Sequence, residues 1–94
     1  MTTYKRTGPE DDVLHADGSV TQMRPPAGSR KYTLAQIQKA VGGTFTTART
    51  QVKRMILLVN EEGLLLGLPR NDAASQLAGQ DIVGDVIVTT PDRL

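Results

Sequence analysis

Five groups of residues have types and spacings that could do chemistry. Glu61 and Glu62 are adjacent carboxylates, the pair that general acid–base work or a hard cation would use. Adjacent strand residues point to opposite faces, and in a turn both face water. With no Asp-x-Asp-x-Asp loop beside them, they are expected to shape a turn. His15 is the single histidine, and the chain has no cysteine. A lone imidazole with no acid placed by spacing makes a poor metal site. Ser19, Ser29 and Ser75 stand in no Gly-x-Ser-x-Gly context, so no nucleophile is marked for His15 to activate. It is expected on a hairpin, facing solvent.

Gly42, Gly43 and Thr44 could form a backbone nest for an anion. The glycines follow a predicted helix, whereas anion sites favour the start of one. Gly42 suits the left-handed position after a helix end; Gly43 is the extra residue that a helix stop does not require. Arg70, Asn71 and Asp72 form the fourth group. Asn71 can open a helix whose free amides, beside Arg70, would hold a phosphate or carboxylate. Asp72 opposes any anion there. Arg49, Lys53 and Arg54 form the fifth, a basic cluster of the sort that touches nucleic-acid backbone. Stacking on bases would require aromatics, and Phe45, Tyr32 and Tyr4 are the only ones. The candidate ligand-binding set is therefore Arg70, Asn71, Gly43, Thr44, Arg49 and Arg54. No catalytic residue, metal ligand or cofactor is expected.

The elements that must position these groups follow from local pattern. "VLHADGSVTQMRP" reads as a hairpin turning at Asp17-Gly18. "TTYKR" before it alternates weakly, as an edge strand does. "PPAGSR" is loop. In "TLAQIQKAVGG", Thr33 and Gln36 have capping-box spacing, and Leu34, Ile37 and Val41 share one helical face. A strand is predicted from Thr44 to Arg49, and "VKRMILLVN" is the strongest strand, apolar enough for a central position. Asn60 and Gly63 mark a tight turn, after which "LLLGLP" is predicted to return as the partner strand. Asn71 caps a second short helix, which Gly79 ends. "DIVGDVIVTT" is predicted as the last strand, with Gly84 where something packs closely. Thr33, Gly42, Asn60, Gly63 and Gly79 are thus structural caps and turns.

The fold class that results is α+β: one small, mostly antiparallel sheet of about five or six strands with two short helices packed on it. The chain has 94 residues, which favours a single domain over 1–94. Within it, 1–29 forms an N-terminal strand, hairpin and loop region, and 30–90 the core.

The order of these segments resembles a family of small proteins from bacteriophages, plasmids and bacteria, the domain of unknown function DUF3846. The residues that carry the resemblance are Val41, Gly42, Gly43 and Phe45; Asn60 to Gly63; Leu68, Pro69, Asn71, Ala74 and Leu77; and Ile82 to Val86. The chain departs from the pattern at Thr44 and Thr46, where the family has an aromatic directly after the glycines and an acid beyond it. The resemblance implies a phage or mobile-element origin and no activity.

Composition sets the remaining bounds. Without cysteine there is no disulfide and no thiolate chemistry, which suits a cytoplasmic protein of the host cell. The N-terminus has no apolar stretch of a signal peptide, and "MILLV" is too short to span a bilayer. Net charge is +1, but between Gly18 and Asn60 there are seven basic residues and no acid, while from Glu61 onward there are six acids and two arginines. Such a chain is expected to be a non-enzymatic binding protein. It would interfere with a host protein or sequester a host signalling nucleotide in counter-defence. The alternative is a nucleic-acid-binding accessory protein. A homodimer through an edge strand is expected, "TFTTART" or "TTYKR" supplying the edge.

Overall fold

A computed structural model describes residues 10–94. Strands β1 (Asp11–Leu14) and β2 (Val20–Met23) form a hairpin, followed by helix α1 (Leu34–Val41). Strands β3 (Phe45–Arg49) and β4 (Ile56–Asn60) form a second hairpin, followed by helix α2 (Asp72–Ala78), strand β5 (Val86–Thr89) and a 3-10 turn at Pro91–Arg93. All five strands lie in one sheet, ordered β2-β1-β5-β4-β3, with every pairing antiparallel. The architecture is α+β, with one helix on each face of the sheet. The predicted strand "TTYKR" falls outside the described residues.

Both helices are short, so neither is stable without help at its ends. Thr33 caps α1 through its hydroxyl, which accepts from the Gln36 amide at 3.1 Å, and the Gln36 side chain accepts from the Thr33 amide at 3.1 Å. Gly42 ends the helix in the left-handed region, at φ 83°. Ile37 and Val41 then bury against Val13, Leu58 and Ile87 on one sheet face. Leu34 does not join them. It is 60% exposed, because Tyr32 fills that end of the core ahead of the cap. On the other face, Ala74 and Leu77 of α2 pack on Leu14, Leu57, Val59, Val86 and Val88.

Three strand predictions are corrected. "VKRMILLVN" is a strand only from Ile56, because residues 52–54 form the turn of the β3–β4 hairpin. "LLLGLP" is not a strand: residues 61–67 coil through consecutive turns, with Leu66 donating to the Glu62 carbonyl at 2.9 Å and Leu68 to the Gly63 carbonyl at 3.0 Å. The place beside β4 that it would occupy belongs to β5, whose four residues are buried on both sides. A segment apolar on both faces gains more there than a local hairpin would. The last strand is also shorter than "DIVGDVIVTT". Gly84 has φ 80° and breaks the extended run, and a Cβ on it would lie 2.8 Å from Leu68 Cδ1. Upstream of it only an isolated bridge joins Arg70 to Val83.

Candidate functional site

The six candidate ligand residues do not converge. Arg49 ends β3 opposite Ile56, whereas Phe45 and Asn60 pair at the other end of the hairpin. Gly43 and Thr44 therefore sit a strand's length from Arg49. The glycine amides are consumed locally: Gly42 and Gly43 both donate to the Gln38 carbonyl, at 2.8 and 3.0 Å. No nest remains open toward solvent. The side chain of Asn60, 6% exposed, fills the space over the glycines. It donates to the Val41 carbonyl at 3.0 Å and accepts from the Glu62 amide at 2.8 Å. Thr44 approaches Glu62, its hydroxyl 3.5 Å from a carboxylate oxygen.

At the start of α2, Asn71 is only 1% exposed. Its side-chain oxygen accepts from the Ala74 amide at 3.1 Å, and its nitrogen donates to the carbonyls of Leu14 and Gly84 at 2.8 and 2.9 Å. Neither end of that amide reaches solvent. Arg70 is exposed but bonded to Asp72 at 3.0 Å and Asp81 at 2.7 Å. Of the basic residues, Arg49, Lys53 and Arg54 are brought together, lining a depression of ≈ 320 Å³. Arg54 holds a left-handed backbone, φ 68°, at the bend where the hairpin turns.

His15 departs from its expected solvent-facing role. Its Nδ1 lies 2.7 Å from Asp85 Oδ2 and its Nε2 2.8 Å from the Thr21 hydroxyl, while Asp85 Oδ1 accepts from the Ala16 amide at 3.0 Å. Because the carboxylate only accepts, Nδ1 carries the proton; in the neutral ring, Nε2 then accepts from Thr21. A carboxylate orienting an imidazole toward a hydroxyl is the arrangement that activates nucleophiles. Catalysis would further require donors aimed at a developing oxyanion. The nearby amide of Gln36 is engaged at both ends, to the Thr33 amide and to the Arg24 carbonyl at 3.1 Å. The chain of bonds is well explained as a clamp that holds the first hairpin against the segment before β5.

A second polar cluster is buried beside the same sheet. Asp11, fully inaccessible, accepts at Oδ2 from the Tyr32 hydroxyl (2.6 Å), the Thr89 hydroxyl (2.7 Å) and Arg93 Nη1 (3.0 Å). It ties together β1, β5, the segment before α1 and the C-terminal turn. Burial raises the Tyr32 hydroxyl well above its ordinary value, and the bond to Asp11 raises it further. The folded chain therefore keeps a proton that the unfolded chain releases above about pH 10. Stability, complete below that pH, should decline as pH rises further, by up to about 1.4 kcal/mol per unit. Urea unfolding between neutral and alkaline pH measures this, and Tyr32→Phe should remove most of the slope.

The most open apolar feature is the loop 61–67. Leu64, Leu65 and Leu66 are 83%, 86% and 59% exposed. Leu64 and Leu65 border a depression of ≈ 470 Å³ with Thr46, Val59, Ile82 and Val83, and Glu61 and Asp81 line it as well. Gly63 lets the chain turn there: a Cβ on it would meet Val83 Cγ2 at 2.8 Å. The sequence carried a sign of this loop. Three consecutive leucines between Gly63 and Gly67 lack the alternation of a half-buried strand.

The matched family model covers residues 13–93, nearly the whole described chain, and is that of a domain of unknown function, DUF3846. This chain belongs to the DUF3846 family. No curated protein and no solved structure matches it. The DUF3846 match takes in the His15 clamp, the leucine loop and the Asn71 joint, and stops short of Asp11 at one end. Among the described residues, no helix is long and apolar enough to cross a membrane, and no group of three or more potential metal ligands gathers.

Proposed function

We propose that this chain is a non-enzymatic recognition domain that docks a protein of the host cell through its leucine loop. The observation that carries the reading is the exposure of Leu64, Leu65 and Leu66 beside an apolar depression. Single exposed leucines are ordinary, but three in sequence on a domain of 94 residues form a patch that gains when covered. Glu61, Glu62 and Asp81 around the loop select a partner whose apolar contact is flanked by lysine or arginine. On this reading the chain is of phage or mobile-element type and acts in the host cytoplasm, where it interferes with a defence protein.

A second reading follows from Arg49, Lys53 and Arg54, which line one depression with no carboxylate among its walls. That surface would take a phosphate-bearing ligand, either a signalling nucleotide or a nucleic-acid backbone.

The test compares Leu65→Asp/Leu66→Asp with Arg49→Glu/Arg54→Glu. A host protein captured by the wild type is purified and titrated against all three by calorimetry. Burying two leucines contributes about 3–5 kcal/mol, so the leucine variant should bind at least about a hundredfold more weakly. The arginine variant should stay within a few-fold, and both should melt like the wild type. Loss confined to the arginine variant, with affinity that collapses in salt, moves the site to the basic depression.

A further inference from the structure

We infer that β3 pairs with β3 of a second copy about a two-fold axis at Thr47, joining the two sheets edge to edge. Among the described residues, strand β3 ends the sheet, with a neighbour on one side only. The phase of its hydrogen bonding is set by Glu61, whose amide donates to the Thr44 carbonyl at 2.9 Å. Along an antiparallel pair, hydrogen-bonded and non-bonded positions alternate. With the register Phe45↔Asn60 to Arg49↔Ile56, Thr46 and Ala48 spend their main-chain groups on β4. Phe45, Thr47 and Arg49 turn theirs outward.

Those three residues constitute a ladder that matches itself. Antiparallel pairing centred on Thr47 sets Phe45 opposite the partner's Arg49, and Thr47 opposite the partner's Thr47. Every pair then consists of residues whose amide and carbonyl both face the seam. A shift by one residue would set outward groups against positions already spent on β4. No proline lies in the strand, and the outermost side chains Thr46 and Thr47 are small enough to admit a neighbour.

Charge selects the same occupant. Arg49, Lys53 and Arg54 gather at one end of the β3–β4 hairpin, and Glu61 and Glu62 at the other. A two-fold axis through Thr47 lays the basic end of each copy beside the acidic end of its partner. A second copy of this chain is therefore complementary in both hydrogen bonding and charge. The pairing does not depend on the leucine loop, but it places one such loop at each end of the seam. A target with two sites would then be held bivalently.

The experiment is sedimentation velocity on the wild type, Thr47→Pro and Thr47→Cys. The wild type should sediment at twice 10.1 kDa, and Thr47→Pro at 10.1 kDa. Proline there removes only an outward amide, so the variant should still unfold in one cooperative transition, with a melting temperature lower only by what association contributed. If proline disturbs folding, the cysteine variant decides. The chain has no other thiol. Two Cα atoms of a bonded pair lie about 5.5 Å apart, within disulfide reach. Mild oxidation should cross-link Thr47→Cys much faster than Ser19→Cys, an exposed control in the turn of the β1–β2 hairpin, at the other side of the sheet from β3. A wild type that stays at 10.1 kDa at high concentration, or equal cross-linking of the two cysteine variants, overturns the inference.

Discussion

Asp11→Ala should be the most damaging single substitution, lowering stability by about 3 kcal/mol and the melting temperature by about 15 °C. Asp11 is fully buried and accepts from two hydroxyls and a guanidinium. Removing it leaves the Thr89 hydroxyl without its carboxylate acceptor, the Tyr32 hydroxyl with only the Met23 carbonyl at 3.3 Å, and Arg93, whose side chain is 22% exposed, without its counter-charge. Most of the loss comes from those stranded partners and not from the pair's own attraction, since a buried ion pair gives back much of its Coulomb energy in desolvation. The double-mutant cycle separates the two. Asp11→Ala with Arg93→Ala should cost less than the sum of the single changes, by at least about 1 kcal/mol. Additive losses in urea titrations would mean that Arg93 and Asp11 act independently.

Asn71→Ala should follow closely, at about 3 kcal/mol. The substitution removes the cap of α2 and takes one buried donor from each of the carbonyls of Leu14 and Gly84. Asn71→Asp tells these effects apart. Aspartate caps a helix as well as asparagine. It cannot donate, and it would set a carboxylate against two carbonyl oxygens. If capping were the whole role, Asn71→Asp would melt like the wild type. We expect it to melt no higher than Asn71→Ala. The same measurement bears on function, because an asparagine spent on three internal bonds has nothing left for a ligand. Arg70 beside it remains exposed, though paired with Asp72 and Asp81.

The punctuation of the chain was legible in the sequence. The spacing of Thr33 and Gln36 matches a two-way cap in the structure, and Gly42 and Gly79 stand at helix ends with φ 83° and 70°. Such signals are local: a capping hydroxyl or a left-handed backbone involves residues three or four apart. Strand β4 was legible for a related reason, since only a strand covered on both faces tolerates Ile-Leu-Leu-Val, although the middle of the sheet belongs to β5 and β4 lies between β5 and the edge strand. "LLLGLP" failed because two apolar segments competed for the place beside β4, and composition does not say which one wins. The clamp at His15 failed because its partner Asp85 lies 70 positions away.

By itself, the sequence determined an α+β chain with two capped helices, an interior aliphatic strand and no thiol chemistry, because these depend on residue type and on near neighbours. Only the tertiary structure decided which strand lies beside β4, that the leucines face water, and that Asp11 meets Arg93 across 82 positions. Backbone preference acts over a single turn of helix or hairpin. Pairings between distant residues are set by which arrangement buries the most apolar surface while leaving no buried charge without a partner.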